Sequence, residues 1–406
     1  MIQGMIGGIP AGDSYPVRLM GVVNLSRESF YRGSVAGPEE ALLKAEAMQA
    51  EGAELIDVGA VSTAPGSPPV DEAAERERLF PALNEILDNL EIPVSVDTQR
   101  SAIASKALSS GAACINDVSG LFDPAMAKTV AQYDGSLIIM ASHCVPGDLL
   151  SLNQIIPLLG ERVRSAVDAG VSLQKIAIDP GVGKWIPEKT PEHDLAILDG
   201  FRRLRALDRP ILAAISRKSF IGDRLKRPDP GQRLAGSLAA TAIAVYNGAH
   251  MVRTHDISAS LDAVRMAQAI RGQPARAGAG GMEVEVLDHL GQGVDLTEIL
   301  RRAGVDERGW STLGKKGSFR VLVARGLSSM EALIMKQEML ARGGDAAIPK
   351  LALRCDPGPE EVIILGTISQ ISGMEKNLCS QPFRLPQLAG AIDGALERLE
   401  GPERYR

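Results

Sequence analysis

One pattern recurs through the first two thirds of the chain: a short apolar strand, a polar or glycine-bearing loop, and then a helix. The predicted strands are Val17–Val23, Glu54–Val58, Ile92–Val96, Ala113–Ile115, Ser136–Met140, Lys175–Ile178, Ile211–Ile215 and Ala249–Val252. Alternating strands and helices predict parallel strands joined by right-handed crossovers. About eight such units in about 250 residues favour a closed (β/α)8 barrel. An open doubly wound sheet is the alternative, although its GxGxxG motif is absent after the first strand.

The composition of the chain predicts four parts, and the predicted fold class is α/β. Residues 1–16 are an N-terminal extension, 17–272 the barrel, 273–281 a flexible linker rich in glycine and alanine, and 282–406 a small C-terminal α/β domain of unknown role. The elements predicted for this last domain are helices at 296–302, 329–342 and 385–399 and strands at 319–324, 347–353 and 362–365. Ser328 and Glu331 have the spacing of a capping box.

Charge and cysteine content argue against several classes of protein. A formal net charge of −6 is not that of a nucleic-acid or anionic-membrane binder. No stretch approaches the ~20 apolar residues of a membrane span, and the first residues do not resemble a secretory signal. The four cysteines form no CxxC pair, which argues against a zinc site or a disulfide framework and predicts free thiols in a reducing cytoplasm.

Polar residues stand at the carboxyl ends of seven of the eight predicted strands, where barrel enzymes carry their reacting groups. The eight ends carry Asn24, Asp57, Asp97, Asn116, Met140, Asp179, Ser216 and Arg253. Asn, Asp and Ser also cap helices and form turns, so each of them alone has an ordinary structural explanation. Arg253, and Lys218 just beyond Ser216, are poor caps and therefore indicate a site.

The cations come from the last two strands. Arg217 and Lys218 are adjacent, and two like charges side by side are best explained by an anion near them. Phosphate sites in (β/α)8 barrels lie in this quadrant. An extended segment places Arg253 and His255 on one side, where Asp256 is expected to hold His255 in a donating tautomer. A surface ion-pair cluster is the alternative.

Asp97, Asn116 and Asp179 form a second set, which is acidic and amide-bearing. A carboxylate accepts two hydrogen bonds side by side, and an amide offers one donor and one acceptor. Together these groups match the edge of an aminopyrimidinone ring. A divalent metal is the competing ligand for two Asp and one Asn, although no His joins them.

Two polar loops, 24–30 and 62–66, follow the first two strands. Both are expected to be mobile lids over the mouth of the barrel. Hydroxyls and an amide facing an anion suggest phosphate bound together with Mg²⁺, because Mg²⁺ takes phosphate oxygens and few protein ligands. Asn24 is the candidate residue for the metal.

These residues belong to a series of motifs that resembles the dihydropteroate synthases, the pterin-binding enzymes of folate synthesis. The motifs, in the family's order, are MGVVN (20–24), GAELIDVGAVSTAPG (52–66), SVDT (95–98), INDVSG (115–120), DPGVG (179–183), SRKSFIG (216–222) and VRTHD (252–256). Each is weak alone, but together they are specific. The C-terminal segments KQEMLARGGDAA (336–347), GT with Gln370, and QPF (381–383) are similar to the extra domain of the longer members.

The resemblance implies a role for each matching position. The residues that would bind the pterin are Asp97, Asn116, Met140, Asp179 and Lys218. Those that would be catalytic are Asp97, Lys218 and Arg253. Those that would bind the pyrophosphate are Asn24, Arg253 and His255, with Asn24 also placing Mg²⁺. Those on the arylamine side would be Thr63 and Ser219.

Several positions depart from the family pattern. The first loop usually carries Thr-Pro-Asp after Asn-Val, and here 25–28 reads Leu-Ser-Arg-Glu. Ala64 stands where the second loop usually has an Arg, and Arg27 or Arg32 is a candidate replacement. Lys184 stands where an aromatic residue is usual, with Trp185 next to it. Because these changes lie on the arylamine and loop side, they leave the second substrate less defined than the pterin.

The expected activity joins 6-hydroxymethyl-7,8-dihydropterin diphosphate to an arylamine with release of pyrophosphate, in folate or methanopterin-type biosynthesis. The arylamine is expected to be p-aminobenzoate or a modified aniline. One alternative is a methyl-tetrahydrofolate-binding methyltransferase domain, which has no use for a pyrophosphate site. Another is a pterin-binding scaffold without activity. A homodimer in the cytoplasm is expected, with no nucleic acid or membrane as partner.

Overall fold

The computed structural model of the chain describes residues 2–26, 38–61, 68–272, 276–279, 282–285, 293–350, 352 and 360–400. Two compact units are present, Met1–Asp288 and His289–Arg404. Within the described residues, every helix is too short or too polar to cross a membrane.

The N-terminal extension forms an antiparallel hairpin of β1 (Gln3–Ile6) and β2 (Ile9–Gly12). Ile6 and Ala11 are fully buried and pack inside the barrel among side chains such as Met20 and Leu55. The hairpin therefore plugs the end of the barrel at which the strands begin. The sequence did not predict this role for 1–16.

Eight parallel strands form the barrel. They are β3 (Arg18–Asn24), β4 (Leu55–Gly59), β5 (Val94–Asp97), β6 (Cys114–Asp117), β7 (Ser136–Met140), β8 (Ile176–Asp179), β9 (Leu212–Ala213) and β10 (Met251–Thr254), in the order β8-β7-β6-β5-β4-β3-β10-β9. A parallel bridge between Ile178 and Ile211 joins β8 to the start of β9 and closes the ring. The predicted (β/α)8 barrel is confirmed, although β9 is shorter than its predicted strand.

Helices surround the strands. They are α1 (Pro38–Ala50), α2 (Glu72–Asn89), α3 (Ser101–Ser109), α4 (Met126–Gln132), α5 (Leu152–Asp168), α6 (Pro191–Asp199), α7 (Ser219–Leu225), α8 (Leu234–Tyr246) and α9 (Ile257–Arg271). In α2, Asp71 caps the helix by accepting the Ala74 N–H at 2.8 Å. Leu79, Leu83 and Ile86 recur every three or four residues and are fully buried, which is why this face packs on the sheet.

A short hairpin, β11 (Arg276–Ala279) with β12 (Met282–Glu285), occupies part of the stretch predicted as a flexible linker. Residues 276–279, within the predicted linker, therefore form a strand. The first compact unit extends to Asp288, beyond the predicted end of the barrel at Gly272.

The second unit is a three-stranded antiparallel sheet with helices. Its elements are α10 (Gly293–Arg302), α11 (Glu307–Lys316), β13 (Phe319–Leu327), α12 (Ser329–Leu340), β14 (Asp345–Ala347), β15 (Glu360–Thr367), α13 (Ile368–Leu378) and α14 (Leu385–Glu400), with strand order β13-β15-β14. The predicted small α/β fold is confirmed, including the capping box of Ser328 and Glu331. The sequence missed α11 and α13.

Candidate active site

A cavity of about 420 Å³ opens at the carboxyl ends of the barrel strands. The predicted site residues that line it are Asn24, Asp97, Asn116, Met140, Asp179, Lys218, Ser219, Arg253 and His255. Thr63, like Arg27, Arg32 and Ala64, lies outside the described residues. Within the described part of the chain, one cavity thus brings together every residue predicted for the site.

A buried carboxylate holds two of the residues that line this cavity, Arg253 and Asn116. Asp57 is fully buried, and its Oδ2 atom accepts from Arg253 Nε at 2.6 Å and from Asn116 Nδ2 at 3.0 Å. Arg253 Nη2 also donates to Asp97 Oδ2 at 3.1 Å. The Oδ1 atom of Asn116 is buried without a hydrogen-bond partner among the described residues. A buried amide oxygen of this kind is explained by a donor on a ligand.

The two predicted carboxylates have raised pKa values. Burial raises the pKa of Asp97 to about 7, against the opposing charge of Arg253. Burial also raises the pKa of Asp179, although its Oδ1 atom accepts the Gly181 N–H at 2.8 Å. Near neutral pH, the Asp97 carboxyl group is therefore close to its pKa, so it changes there between a hydrogen-bond acceptor and a hydrogen-bond donor.

The neighbouring cations Arg217 and Lys218 point to different surroundings. Arg217 has a left-handed backbone, with φ of 57°, a conformation that costs free energy in a residue other than glycine. Its guanidinium pairs with Asp256 at 2.9 and 2.5 Å and donates to the Pro230 carbonyl at 3.0 Å. Lys218 lines the cavity. The turn therefore neutralises one cation in the protein and leaves the other for the site.

Lys218 lies between an indole ring and a glycine. Its Nζ atom is 4.5 Å from the centre of the Trp185 ring, a cation–π contact. A Cβ atom on Gly183, where φ is +121°, would come within 3.0 Å of the lysine stem. Burial lowers the pKa of Lys218 to about 8, and Asp179 opposes this shift. The ammonium is thus mostly protonated at pH 7.

His255 is neutral, which changes the predicted cationic set. Burial and the cations Arg253, Arg217 and Lys218 lower the pKa of His255 to about 3. Its Nδ1 atom is 3.0 Å from the Ser216 hydroxyl. The prediction that Asp256 holds His255 was wrong, because Asp256 is taken by Arg217. The cavity cations from the last two strands are therefore Lys218 and Arg253.

Sequence reasoning missed a buried pair behind the loop 181–185. Lys189 is almost fully buried, donates to the Gly181 carbonyl at 2.6 Å, and lies 3.6 Å from Asp194. Asp194 also accepts the Gly183 N–H at 2.8 Å. The pair fixes the loop that carries Trp185. No periodicity in the sequence marks Lys189, whereas Asp57 was visible as the polar residue within the apolar run of β4.

Comparison with known proteins shows to which family the chain belongs. The family described as "Pterin binding enzyme" matches residues 20–255. A dihydropteroate synthase from Synechocystis sp. is 35% identical over 261 residues, which are 62% of this chain and 89% of that protein. The chain belongs to the dihydropteroate synthase family. The family resemblance predicted from the motifs is therefore confirmed, and with it the transferase class that these relatives' name denotes.

A solved structure and a longer relative are also similar to this chain. A structure described as a Xanthomonas albilineans dihydropteroate synthase with 4-aminobenzoic acid superposes with a TM-score of 0.59 at 33% identity, covering 67% of this chain and 99% of that one. A probable bifunctional folylpolyglutamate synthase/dihydropteroate synthase from Halobacterium salinarum is 36% identical over 279 residues. That match covers 66% of this chain but spans only 34% of the Halobacterium protein.

Proposed function

We propose that the chain joins 6-hydroxymethyl-7,8-dihydropterin diphosphate to an arylamine and releases pyrophosphate. The proposal rests on one cavity that is lined by two groups of residues. The residues expected to bind the pterin ring, Asp97, Asn116 and Asp179, lie there beside the cations Lys218 and Arg253. A methyltransferase that binds methyl-tetrahydrofolate would need the first set but not the second, so it is not favoured.

The pterin is held by groups that match its polar edge. Asn116 offers an amide oxygen that lacks a partner among the described residues, while its nitrogen is already used by Asp57. Asp179 retains acceptor positions beyond the one used by Gly181, because a carboxylate has about four. Met140, almost fully buried at the end of β7, supplies an apolar surface for the ring. Asp97 stabilises positive charge that develops on the ring during the reaction.

In the reaction, the bond between the hydroxymethyl carbon and the diphosphate oxygen breaks, and the diphosphate leaves with the electron pair. The arylamine nitrogen then bonds to that carbon and loses a proton. Lys218 and Arg253 stabilise the departing charge, and such preorganised electrostatic terms are usually the largest in catalysis. Arg253 already pairs with Asp57 and Asp97, so Lys218 contributes more of the attraction. An aniline is neutral at pH 7 and needs no strong base.

Mg²⁺ fits the phosphate side of this site. Asn24 ends β3 and lines the cavity, and its amide oxygen is a ligand of the type that Mg²⁺ takes. The nearby carboxylates Asp57 and Asp97 are engaged by Arg253. The ion would therefore be held by Asn24, water and the diphosphate, whose charge it would help to neutralise. His255 would contribute a neutral hydrogen bond to the diphosphate.

The arylamine is expected beside Ser219, the first residue of α7, which lines the cavity. Lys184 and Trp185 line the cavity as well, and Thr63 is expected to approach from its loop. Lys184 is exposed and adds a positive charge at this side. A carboxylate or another anionic group on the aniline would suit these residues. The product would then enter folate or methanopterin-type biosynthesis.

A homodimer formed through the barrel is supported by an exposed apolar surface on α8 and α9. Ile243 and Tyr246 are three residues apart on α8, and Met266 and Ile270 are four apart on α9, so each pair shares one helix face. All four side chains are large and exposed. Analytical ultracentrifugation is expected to give a dimer that Ile270→Lys dissociates, and a monomeric wild type would contradict this.

The free thiols of Cys114, Cys144 and Cys379 suit the proposed cytoplasmic location.

The function is tested by pyrophosphate release from the pterin diphosphate with Mg²⁺ and a panel of anilines. Faster release with p-aminobenzoate or a modified aniline than without amine supports the transferase. Tight pterin binding with no release for any amine would instead identify a scaffold. Running p-aminobenzoate beside an aniline that carries a phosphorylated sugar identifies the second substrate.

A further inference from the structure

The loop after β7 carries a cluster of potential metal ligands outside the machinery described above. His143, Cys144 and Asp148 have a ring nitrogen, a sulfur and a carboxylate oxygen that all lie within 4.8 Å of one another. The His143 Nδ1 atom is 3.0 Å from the Cys144 Sγ atom. His143 and Cys144 are exposed, so an ion in solution has access to them. We propose that these three side chains bind a Zn²⁺ ion.

Asp148 folds the loop so that the other two ligands converge. Its Oδ1 atom accepts the His143 N–H at 2.8 Å, and its Oδ2 atom accepts the N–H groups of Cys144 at 2.8 Å and Val145 at 3.2 Å. These bonds use three of the about four acceptor positions of a carboxylate. Oδ1 accepts one of these three bonds and Oδ2 accepts two, so Oδ1 is the oxygen that would bind the metal while the loop keeps its shape.

The chemistry of this cluster selects zinc among the common ions. Thiolate and imidazole ligands suit Zn²⁺, whereas Mg²⁺ and Ca²⁺ prefer oxygen. Tetrahedral zinc with bonds of about 2.0–2.3 Å places its ligand atoms about 3.3–3.6 Å apart. The exposed His143 and Cys144 side chains can close the remaining distance by rotation. Three protein ligands leave a fourth position for water. The cluster contains no CxxC pair, since its ligands are a neighbouring His and Cys with an Asp four residues further on, so cysteine spacing did not indicate it.

The cluster lies next to a residue of the active-site cavity. Gly147, within the same loop, packs so closely against Trp185 that a Cβ atom would fall 2.2 Å from the ring. Trp185 in turn contacts Lys218. A metal bound to the loop would therefore be reported by the fluorescence of Trp185. Trp310, in the second unit, is the only other tryptophan of the chain.

The test is a titration of the full chain carrying Trp310→Phe with Co²⁺, a spectroscopic substitute for Zn²⁺. The proposal predicts a Co²⁺–thiolate charge-transfer absorption and quenching of Trp185 fluorescence with the same midpoint. Adding Zn²⁺ should remove the absorption and restore the fluorescence. Cys144→Ser should abolish the absorption, and His143→Gln should weaken binding at least about tenfold.

Cys379→Ser is the matched control, because Cys379 is an exposed free thiol in the second unit. It should change neither signal. An absence of absorption in the parent chain would overturn the proposal. So would absorption that survives Cys144→Ser, or Co²⁺ affinity that His143→Gln leaves unchanged, since the thiol would then bind metal by itself. Pyrophosphate release is not used as a readout, so failure of this proposal leaves the proposed function untouched.

Discussion

Lys218→Met separates the two halves of the proposed substrate. Methionine retains an unbranched apolar stem but removes the ammonium, which lies in the cavity beside Trp185. Removing one preorganised donor to developing charge costs about 10²–10³ in kcat. A hydrogen bond to a charged group contributes about 1.5–3 kcal/mol, which corresponds to a roughly 10- to 160-fold weaker affinity for the pterin diphosphate. The hydroxymethyl-dihydropterin without its diphosphate should lose less than about threefold.

Calorimetric titration of both ligands measures this difference, and Arg217→Met is the matched control. Arg217 is the adjacent cation, but its charge is paired with Asp256. Its removal should lower the free energy of unfolding by about 3–5 kcal/mol, since a mostly buried carboxylate loses its partner. The ratio of the two ligand affinities should not change. An equal loss of both ligands in Lys218→Met would refute the reasoning, as would an altered ratio in the control.

Three further outcomes follow from charges in the barrel. Since burial lowers the pKa of Lys218 to about 8, kcat/KM should fall as the pH rises through 8, and a profile flat to about pH 9 would contradict this assignment. Asp57→Asn removes a buried partner of Arg253, and the resulting misplacement of Arg253 should make kcat/KM about 100-fold lower in steady-state kinetics; a loss under threefold would exclude a positioning role. Asp13→Asn removes a partner of Arg205 and should lower the free energy of unfolding at pH 7 by about 3 kcal/mol. Burial alone would raise the pKa of Asp13, but hydrogen bonds outweigh it and hold this pKa well below its usual range. In urea unfolding, the stability difference between wild type and Asp13→Asn should therefore shrink as the pH falls below about 4.

The barrel and most of its site could be predicted because both follow from local patterns. Strands buried on both faces are short apolar runs, and the residue that ends each run lies at the catalytic end of the barrel. Asp97, Asn116 and Asp179 could thus be placed together without knowledge of any contact. Lys218 and Arg253 were identified because cations are poor helix caps.

Pairings between distant residues could not be predicted. Arg253 and Asp57 are 196 positions apart, and no local pattern specifies their contact. The left-handed turn at Arg217, which directs that side chain to Asp256, occurs at a residue that rarely adopts this conformation. Composition predicted a flexible linker where 276–279 forms a strand, since small residues are compatible with either state.

In the second unit, a local signal was present but was interpreted differently. Thr367 and Gln370 form a capping box at the start of α13. In the sequence these residues were interpreted only as part of a family motif, so α13 was not predicted. Helix start signals were correctly read at Ser328 and Glu331, where an apolar helix pattern follows.

The most direct test of the account is a crystal structure with 6-hydroxymethyl-7,8-dihydropterin diphosphate and Mg²⁺ bound. The pterin ring is expected to contact Asn116 and Asp179, and the diphosphate is expected to lie on the side of Lys218, Arg253 and His255. The Asn116 Oδ1 atom should accept a hydrogen bond from the ring. A pterin bound elsewhere, or a diphosphate directed away from Lys218, would contradict it.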